Sequence, residues 1–152
     1  MSETRILTGE ERRLAHVERI PIRWGDMDAM GHVNNTIYFR YMEQARISWF
    51  ERLVPEGEVW QSTGIVIVNA SCNYKRPITY PGTVEVRLIV GPPGGSSAPT
   101  FYELRVAQGE LCDPVPYADG AAVVVFVDMK TQKPARIPEG IRQRLLESEV
   151  RT

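Results

Sequence analysis

The segment from residue 35 to residue 53 constrains the fold of this 152-residue chain more than any other. At about 100° per residue, most of its apolar side chains fall within an arc of roughly 140°. These side chains are Tyr38, Phe39, Met42, Ala45, Trp49, Phe50 and Leu53. Ile37 and Tyr41 lie outside the arc, so the predicted helix is apolar on several sides and must be covered by other elements. We expect Pro55 and Gly57 to end it.

Five other segments have the alternating or uninterrupted apolar pattern that is typical of strands. These are residues 17–24, 65–74, 83–90, 101–107 and 121–127. The irregular segment 108–118 predicts a long loop, and residues 139–150 predict a charged terminal helix. Because short connections favour antiparallel pairing, the sequence predicts an α+β fold. In this fold an antiparallel five-stranded sheet wraps around the long helix.

Alternation within two of these segments predicts which side chains face the core. In segment 83–90 the inward residues are Val84, Val86, Leu88 and Val90. In segment 65–74 strict alternation places on one face Val66, Val68, Ala70, Cys72 and Tyr74, and on the other Ile65 and Ile67. A single sheet layer leaves one face and its edges poorly protected, so we expect a homodimer or homotetramer.

Composition limits the classes of protein to which the chain can belong. Hydrophobic residues make up 43% and charged residues 24%, which is ordinary for a globular protein. The formal net charge of −1 gives no general attraction to nucleic acid or to an acidic membrane surface. No apolar run approaches the ~18 residues of a transmembrane helix. We therefore expect neither nucleic acid nor a membrane as a partner.

Residues 1–16 are polar, carry both signs of charge and lack the apolar centre of a signal peptide. We expect a polar N-terminal tail over these residues, a single domain over residues 17–150 and a cytoplasmic location. Cys72 and Cys112 do not indicate a disulfide framework. They also lack neighbouring ligands at the spacing of a zinc site, so we expect no metal.

The stretch Asp-Met-Asp-Ala-Met-Gly-His-Val-Asn-Asn-Thr directly precedes the predicted long helix. Residues 23–35, which contain most of it, resemble the hotdog-fold acyl-CoA thioesterases of the 4-hydroxybenzoyl-CoA thioesterase-like family. The helix residues that extend the match are Tyr38, Tyr41, Glu43, Ala45 and Arg46, and the later segments that fit are 74–78, 81–84 and 123–128. The resemblance covers about residues 17–145. It implies hydrolysis of an acyl-CoA thioester to a free acid and CoA, without a metal or other cofactor.

The resemblance also implies the catalytic residues. The family's carboxylate falls on Asp28, as general base or nucleophile, and Asn35 matches the position whose backbone N–H polarises the thioester carbonyl. A helix N-terminus has unpaired N–H groups and a partial positive charge, so it can hold an oxyanion, and Gly31 lets the backbone approach the ligand. Alternatively, Asp28 binds only the loop backbone and Asn35 is a helix N-cap. We expect Asp26 to brace the turn.

Five residues are predicted to contact the substrate. They are His32, Asn34, Tyr38, Lys75 and Arg76. Lys75 and Arg76 are candidates for binding the CoA phosphates, since the sequence has no Gly-rich phosphate loop of the nucleotide-binding kind. The alternatives are a hydrogen-bonded structural role for His32, a core position for Tyr38 and a solvated basic pair at residues 75 and 76.

Two other functions are compatible with the sequence. One is a non-catalytic acyl-CoA-binding or regulatory protein with the same fold, although the acid at position 28 counts against it. The other is a thioesterase that acts on acyl carrier protein, which requires a basic patch near the mouth of the site. The sequence alone does not place such a patch, so both alternatives stay open.

Overall fold

The computed structural model describes residues 11–54 and 62–147. The main elements in chain order are strand β1 (Arg13–Pro21), helix α1 (Asn35–Leu53), strands β2 (Thr63–Tyr74), β3 (Thr83–Val90), β4 (Ser97–Gln108), β5 (Leu111–Cys112) and β6 (Ala118–Asp128), and helix α2 (Glu139–Glu147). None of the helices in the described ranges is long and apolar enough to cross a membrane. Pro55 and Gly57, which were expected to end the long helix, lie outside the described residues.

The strands form one antiparallel sheet in the order β1-β3-β4-β6-β2, and β5 pairs with β4. Helix α1 packs against β1, β2 and β3 on the inner face of this sheet. The predicted α+β hotdog arrangement is therefore confirmed. The segment that was expected to be a loop between β4 and β6 contributes the short strand β5, which makes the sheet six-stranded.

Helix α1 has the bounds that the sequence predicts, Asn35–Leu53. Its buried side chains are Tyr38, Tyr41, Met42, Ala45, Trp49, Phe50 and Leu53. Two positions differ from the predicted apolar arc: Phe39 is 36% exposed, whereas Tyr41 is 1% exposed. The reason is that the sheet curls around the helix toward β1, so the side that carries Tyr41 is also covered.

Strand β1 begins at Arg13, four residues earlier than the predicted start at residue 17. Ala15 and His16 are buried, and residues 13–16 pair with the end of β3. The imidazole Nε2 of His16 lies 2.6 Å from Glu18, and its Nδ1 lies 2.7 Å from Arg52 on α1. Residues 13–16 therefore belong to the sheet rather than to the polar tail expected over residues 1–16, and the buried imidazole of His16 finds polar partners within the fold.

Strand β2 contains a register shift between Ile67 and Asn69 in its pairing with β6. Such a bulge inserts one residue and exchanges the faces of the strand beyond it. Ile65 before the bulge and Cys72 after it both pack against the core, and Val68 at the bulge is 60% exposed. The strict alternation predicted for this strand is therefore wrong, whereas the inward set predicted for β3 is confirmed by its almost complete burial.

Candidate active site

The residues between β1 and α1 form a closed turn. Met27 and Val33 form an antiparallel bridge, and the Asp28 N–H donates to the carbonyl of His32 at 2.8 Å. The Gly31 N–H donates to the Asp28 carbonyl at 3.0 Å, and Gly31 has a φ of 79°. This left-handed conformation favours glycine. Gly31 therefore has a role in closing the turn that holds Asp28.

Asp26 fixes this loop to the long helix. Its side chain is buried, and its Oδ2 accepts hydrogen bonds from the Tyr41 hydroxyl at 2.8 Å and from the Arg23 backbone N–H at 3.0 Å. Its carbonyl accepts from the Asn34 N–H at 2.9 Å. Burial and the hydrogen bond to Asp26 raise the pKa of Tyr41, so the phenol is held in its protonated, donating form. Asp26 braces the loop, as expected from the sequence.

Asp28 is half-buried at the start of the turn. Its Oδ1 accepts from the backbone N–H of Met30 at 2.9 Å, and its Oδ2 lies 3.4 Å from the amide Nδ2 of Asn34. The Asn34 Oδ1 in turn accepts from the Thr36 backbone N–H at 3.0 Å and from the Thr36 hydroxyl at 2.6 Å. Asn34 is thus the N-cap of α1. One amide side chain therefore connects the carboxylate of Asp28 to the start of the helix.

Asn35 is the first residue of α1 and not its cap. The Thr36 N–H donates to the Asn34 side chain, and the Ile37 N–H donates to the Asn34 carbonyl. The Asn35 N–H has no acceptor in the part of the chain that the structure describes. The hydroxyl of Tyr74, at the end of β2, donates to the Asn35 carbonyl at 2.9 Å. The first turn of α1 thus presents one unpaired donor at the surface.

Tyr38 and His32, which were both predicted to bind the substrate, have different surroundings. Tyr38 is 3% exposed, accepts from the Ile78 N–H at 3.3 Å and packs edge-on against Tyr74 with ring centroids 4.8 Å apart. Its burial also raises the pKa of its phenol. Tyr38 is therefore a core residue behind the site rather than an accessible contact. His32 is exposed, and its ring has no hydrogen bond to another described residue.

Lys75 and Arg76 are already engaged within the chain. The Lys75 Nζ lies 2.7 Å from Asp119, and this contact lowers the pKa of the Asp119 carboxyl. Arg76 contacts Asp113 at 3.1 Å, donates to the Val115 carbonyl at 2.6 Å and stacks on the ring of Tyr117. Both side chains are thus partly exposed to solvent, and each is paired with a carboxylate. A phosphate at this place would have to compete with two carboxylates.

Helix α1 is flanked by two clefts, one on the side of β1 and one on the side of β2. The β1 cleft has a volume of about 550 Å³ and is lined by residues that include Arg19, Pro21, Arg23, Arg40, Tyr41 and Glu43. The β2 cleft has a volume of about 370 Å³ and is lined by residues that include Thr36, Phe39, Met42, Ile67, Ala70 and Ala122. Asp28 lines neither cleft, and Arg40 lines both. Along α1 the lining of the β2 cleft begins at Thr36, and that of the β1 cleft begins at Arg40.

Some features of this region were not predicted from the sequence. The Tyr74 hydroxyl and the two clefts depend on contacts between elements that are distant along the chain. The basic character of the first turns of α1 was visible as Arg40 in the sequence, but its neighbour Arg23 lies 17 positions earlier. Within the described ranges, no group of three His, Cys, Asp or Glu side chains is placed to hold a metal ion.

Comparisons with known proteins identify relatives with a similar fold. The PA2801 protein of Pseudomonas aeruginosa is 37% identical, with a TM-score of 0.76 over 86% of this chain and 98% of its own. A thioesterase from Thermus thermophilus, solved in complex with coenzyme A and Zn, is 29% identical, with a TM-score of 0.74 over 91% and 97%. The long-chain acyl-CoA thioesterase FadM of Escherichia coli K12 is 25% identical over 131 residues, which are 84% of this chain and 94% of FadM.

The family assignment follows from a match that covers most of the chain. The family model described as the Thioesterase-like superfamily matches residues 22–145. This range contains the whole turn around Asp28, helix α1 and strands β2 to β6. The chain therefore belongs to the thioesterase-like superfamily.

Proposed function

We propose that this protein hydrolyses an acyl-CoA thioester to a free carboxylic acid and CoA. Thioester hydrolysis as such is supported by the family and by its acyl-CoA thioesterase relatives. The observation that carries the finer proposal is the unpaired Asn35 N–H beside Asp28, the two being connected by the side chain of Asn34. This places a donor for an oxyanion and a carboxylate on one short segment.

The proposed reaction uses both groups on the same carbonyl. The Asn35 N–H and the positive end of the α1 dipole stabilise the negative charge that develops on the thioester oxygen. Asp28 either removes a proton from a water that attacks the carbonyl carbon or attacks that carbon itself to form an anhydride, which water then cleaves. In both routes the C–S bond breaks, and CoA leaves as a thiolate that takes up a proton. His32, exposed on the same turn, is proposed to contact the substrate.

The experiment that tests this proposal is a thiol-release assay. Purified protein is incubated with short, long and aromatic acyl-CoAs, and the released CoA thiol is trapped with a chromogenic reagent. Release well above the uncatalysed rate is expected for at least one acyl class. Tight binding of acyl-CoA with no thiol release would instead favour a non-catalytic binding protein. That function has one observation in its favour, since Asp28 also bonds to its own loop at Met30.

Asn34 is proposed to position Asp28. Asn34→Ser keeps a capping oxygen for the Thr36 N–H, but it removes the amide that lies 3.4 Å from Asp28. We expect the melting temperature to change little, because serine caps as well as asparagine, and kcat to fall about tenfold from the loss of one oriented contact. Asn34→Ala loses the cap as well, and should also lower the free energy of unfolding by about 1 kcal/mol. If Asn34→Ser and wild type have equal kcat, Asn34 does not position Asp28 for catalysis.

We also propose that two copies associate through β2. Among the described residues β2 pairs only with β6, so its other edge is open. Val66, Ile67 and Val68 near this edge are 39%, 38% and 60% exposed. Such an edge is a template for pairing with another strand. Sedimentation should give a mass of two chains or more, and Val68→Lys should shift it toward one chain; a wild-type protein that stays monomeric at high concentration would contradict this.

A further inference from the structure

We propose that the β1 cleft binds the phosphate groups of CoA, with Arg23 and Arg40 as the principal contacts. The CoA part of the substrate would then lie on the β1 side of α1, and the acyl part would lie in the β2 cleft on the opposite side. This inference rests on the proposed function, because it assigns a place to each half of the substrate of that site. It differs from the expectation, drawn from the sequence, that Lys75 and Arg76 hold the phosphates.

Arg40 occupies the position where the two halves of such a substrate would meet. It lies five residues after Asn35, which is about 7.5 Å along the helix axis. It lines both the β1 cleft and the β2 cleft. Together with Arg23 it also lines a further cleft of about 400 Å³ at the loop, whose other lining residues are Gly25, Asp26 and Ile37. Arg40 therefore lies within two helical turns of the proposed oxyanion donor and lines each of these clefts.

The arginines of the β1 cleft are more weakly engaged than the pair at residues 75 and 76. The side chain of Arg40 is 73% exposed, and its nearest paired carboxylate, that of Glu43, is 3.9 Å away. Arg23 is 72% exposed, and its Nε lies 3.5 Å from Asp26. Lys75 and Arg76 instead have carboxylate contacts of 2.7 and 3.1 Å. A phosphate that binds Arg23 and Arg40 therefore replaces weaker carboxylate contacts than one that binds Lys75 and Arg76.

The size and composition of the β1 cleft favour a nucleotide over a protein. Its volume of about 550 Å³ lies within the ~300–1,000 Å³ of small-molecule sites. Arg19 extends the basic character along β1, whereas Glu18 and Glu43 lie among its lining residues. Carboxylates in the wall can accept hydrogen bonds from the amino group of adenine. The same carboxylates would repel the acidic surface of a carrier protein, whose binding requires a broad basic face.

The β2 cleft has apolar side chains in its wall, which fit an acyl group, beside the polar or charged residues Thr36, Arg40, Glu43 and Arg46. Phe39, Met42 and Ile67 line one part of it, and alanines from β2 and β6 line another. Burial of an acyl chain against such side chains is favourable by ~25 cal/mol for each Å² of apolar surface removed from water. Because α1 separates this cleft from the basic one, a bound acyl-CoA would cross the helix near its first turns, where Asn35 and Arg40 lie.

The inference is tested by CoA binding, which does not depend on turnover. Isothermal titration of the full chain with CoA, and separately with adenosine 3′,5′-bisphosphate, is compared for wild type and Arg40→Gln. The loss of one charge-assisted contact should raise both dissociation constants about tenfold. Wild-type binding should weaken with added salt more than that of Arg40→Gln. Lys133→Gln removes one exposed positive charge from the turn after β6 and is the control, with wild-type affinity expected.

Arg23→Gln is the second variant, with unfolding curves recorded because Arg23 also contacts Asp26.

Arg40→Gln with CoA affinity within twofold of wild type would overturn the inference, as would a loss of affinity in Lys75→Gln but not in Arg40→Gln. A wild-type protein that binds neither CoA nor the bisphosphate would overturn it too. If the protein binds CoA through Arg40 but releases no thiol from any acyl-CoA, the proposed function fails while the phosphate site stands. If Arg40→Gln hydrolyses acyl-CoA with an unchanged KM, the proposed function stands while the phosphate site fails.

Discussion

Replacing Asp28 by asparagine is expected to lower kcat for acyl-CoA hydrolysis by about 10²–10⁴-fold. The amide can neither accept the proton of an attacking water nor attack the thioester carbon. Asparagine has almost the same shape, and its Oδ1 still accepts from the Met30 N–H. The turn before α1 should therefore keep its fold. The measurements are steady-state thiol release with the best acyl-CoA of the panel and a thermal unfolding curve of each protein.

Asp128 offers a matched control for this substitution. Its Oδ1 accepts from the backbone N–H of Lys130 at 2.8 Å, two residues further on. This is the same turn contact that Asp28 makes with Met30. Asp128→Asn therefore changes one carboxylate in an equivalent local setting at the far end of β6, and kcat should equal that of wild type. An Asp28→Asn protein that is folded and turns over at the wild-type rate would refute the role of Asp28.

Asp26→Ala is expected to have the largest effect on stability, lowering the free energy of unfolding by roughly 2–4 kcal/mol. The substitution leaves the buried Tyr41 hydroxyl and the Arg23 backbone N–H without their acceptor. The unsatisfied Tyr41 hydroxyl costs about 1–3 kcal/mol because it is buried, and the part-buried Arg23 N–H adds a smaller loss. The measurement is urea denaturation followed by tryptophan fluorescence, since Trp49 is buried in the core and reports on its loss.

Tyr41→Phe separates the two contributions to this loss. It removes the donor together with its need for a partner, so the free energy of unfolding should fall by only about 1 kcal/mol. Because the pKa of Tyr41 is raised in the folded state, wild-type stability should also decrease as pH rises above about 10, where the unfolded chain loses this proton. That decrease should be smaller in Tyr41→Phe. A loss below 1 kcal/mol in Asp26→Ala would show that the loop is held mainly by other contacts.

Local signals in the sequence account for the parts of the fold that were predicted well. Helix α1 was placed correctly because its apolar pattern and its polar cap are encoded within the segment itself. The core-facing set of β3 was predicted for the same reason. The start of β1 and the bulge in β2 were missed, because both depend on partners elsewhere. Buried His16 becomes compatible with a strand only when Arg52 and Glu18 surround it.

In the candidate site, too, the residues predicted well are those whose role depends on neighbours in the sequence. Asp28, Gly31, Asn34 and Asn35 lie within eight consecutive residues, so a motif match can identify them together. The surroundings of the more distant site residues could not be predicted from the sequence. Tyr38 is enclosed by Tyr74 and Ile78, and the partners of Lys75 and Arg76 come from β6 and the loop before it. Such contacts are fixed by the three-dimensional packing of the sheet, which composition and periodicity do not specify.

The hydrogen bond from Tyr74 to the Asn35 carbonyl joins the last residue of β2 to the first turn of α1. Strand β2 is also one of the two edge strands of the sheet, the other being β1. Any event that displaces this strand therefore acts directly on the residue whose N–H is proposed to face the substrate. A dimer that pairs through β2, as proposed above, would lose specific activity on dilution, because separated subunits would release the end of β2, before any loss of secondary structure is detectable.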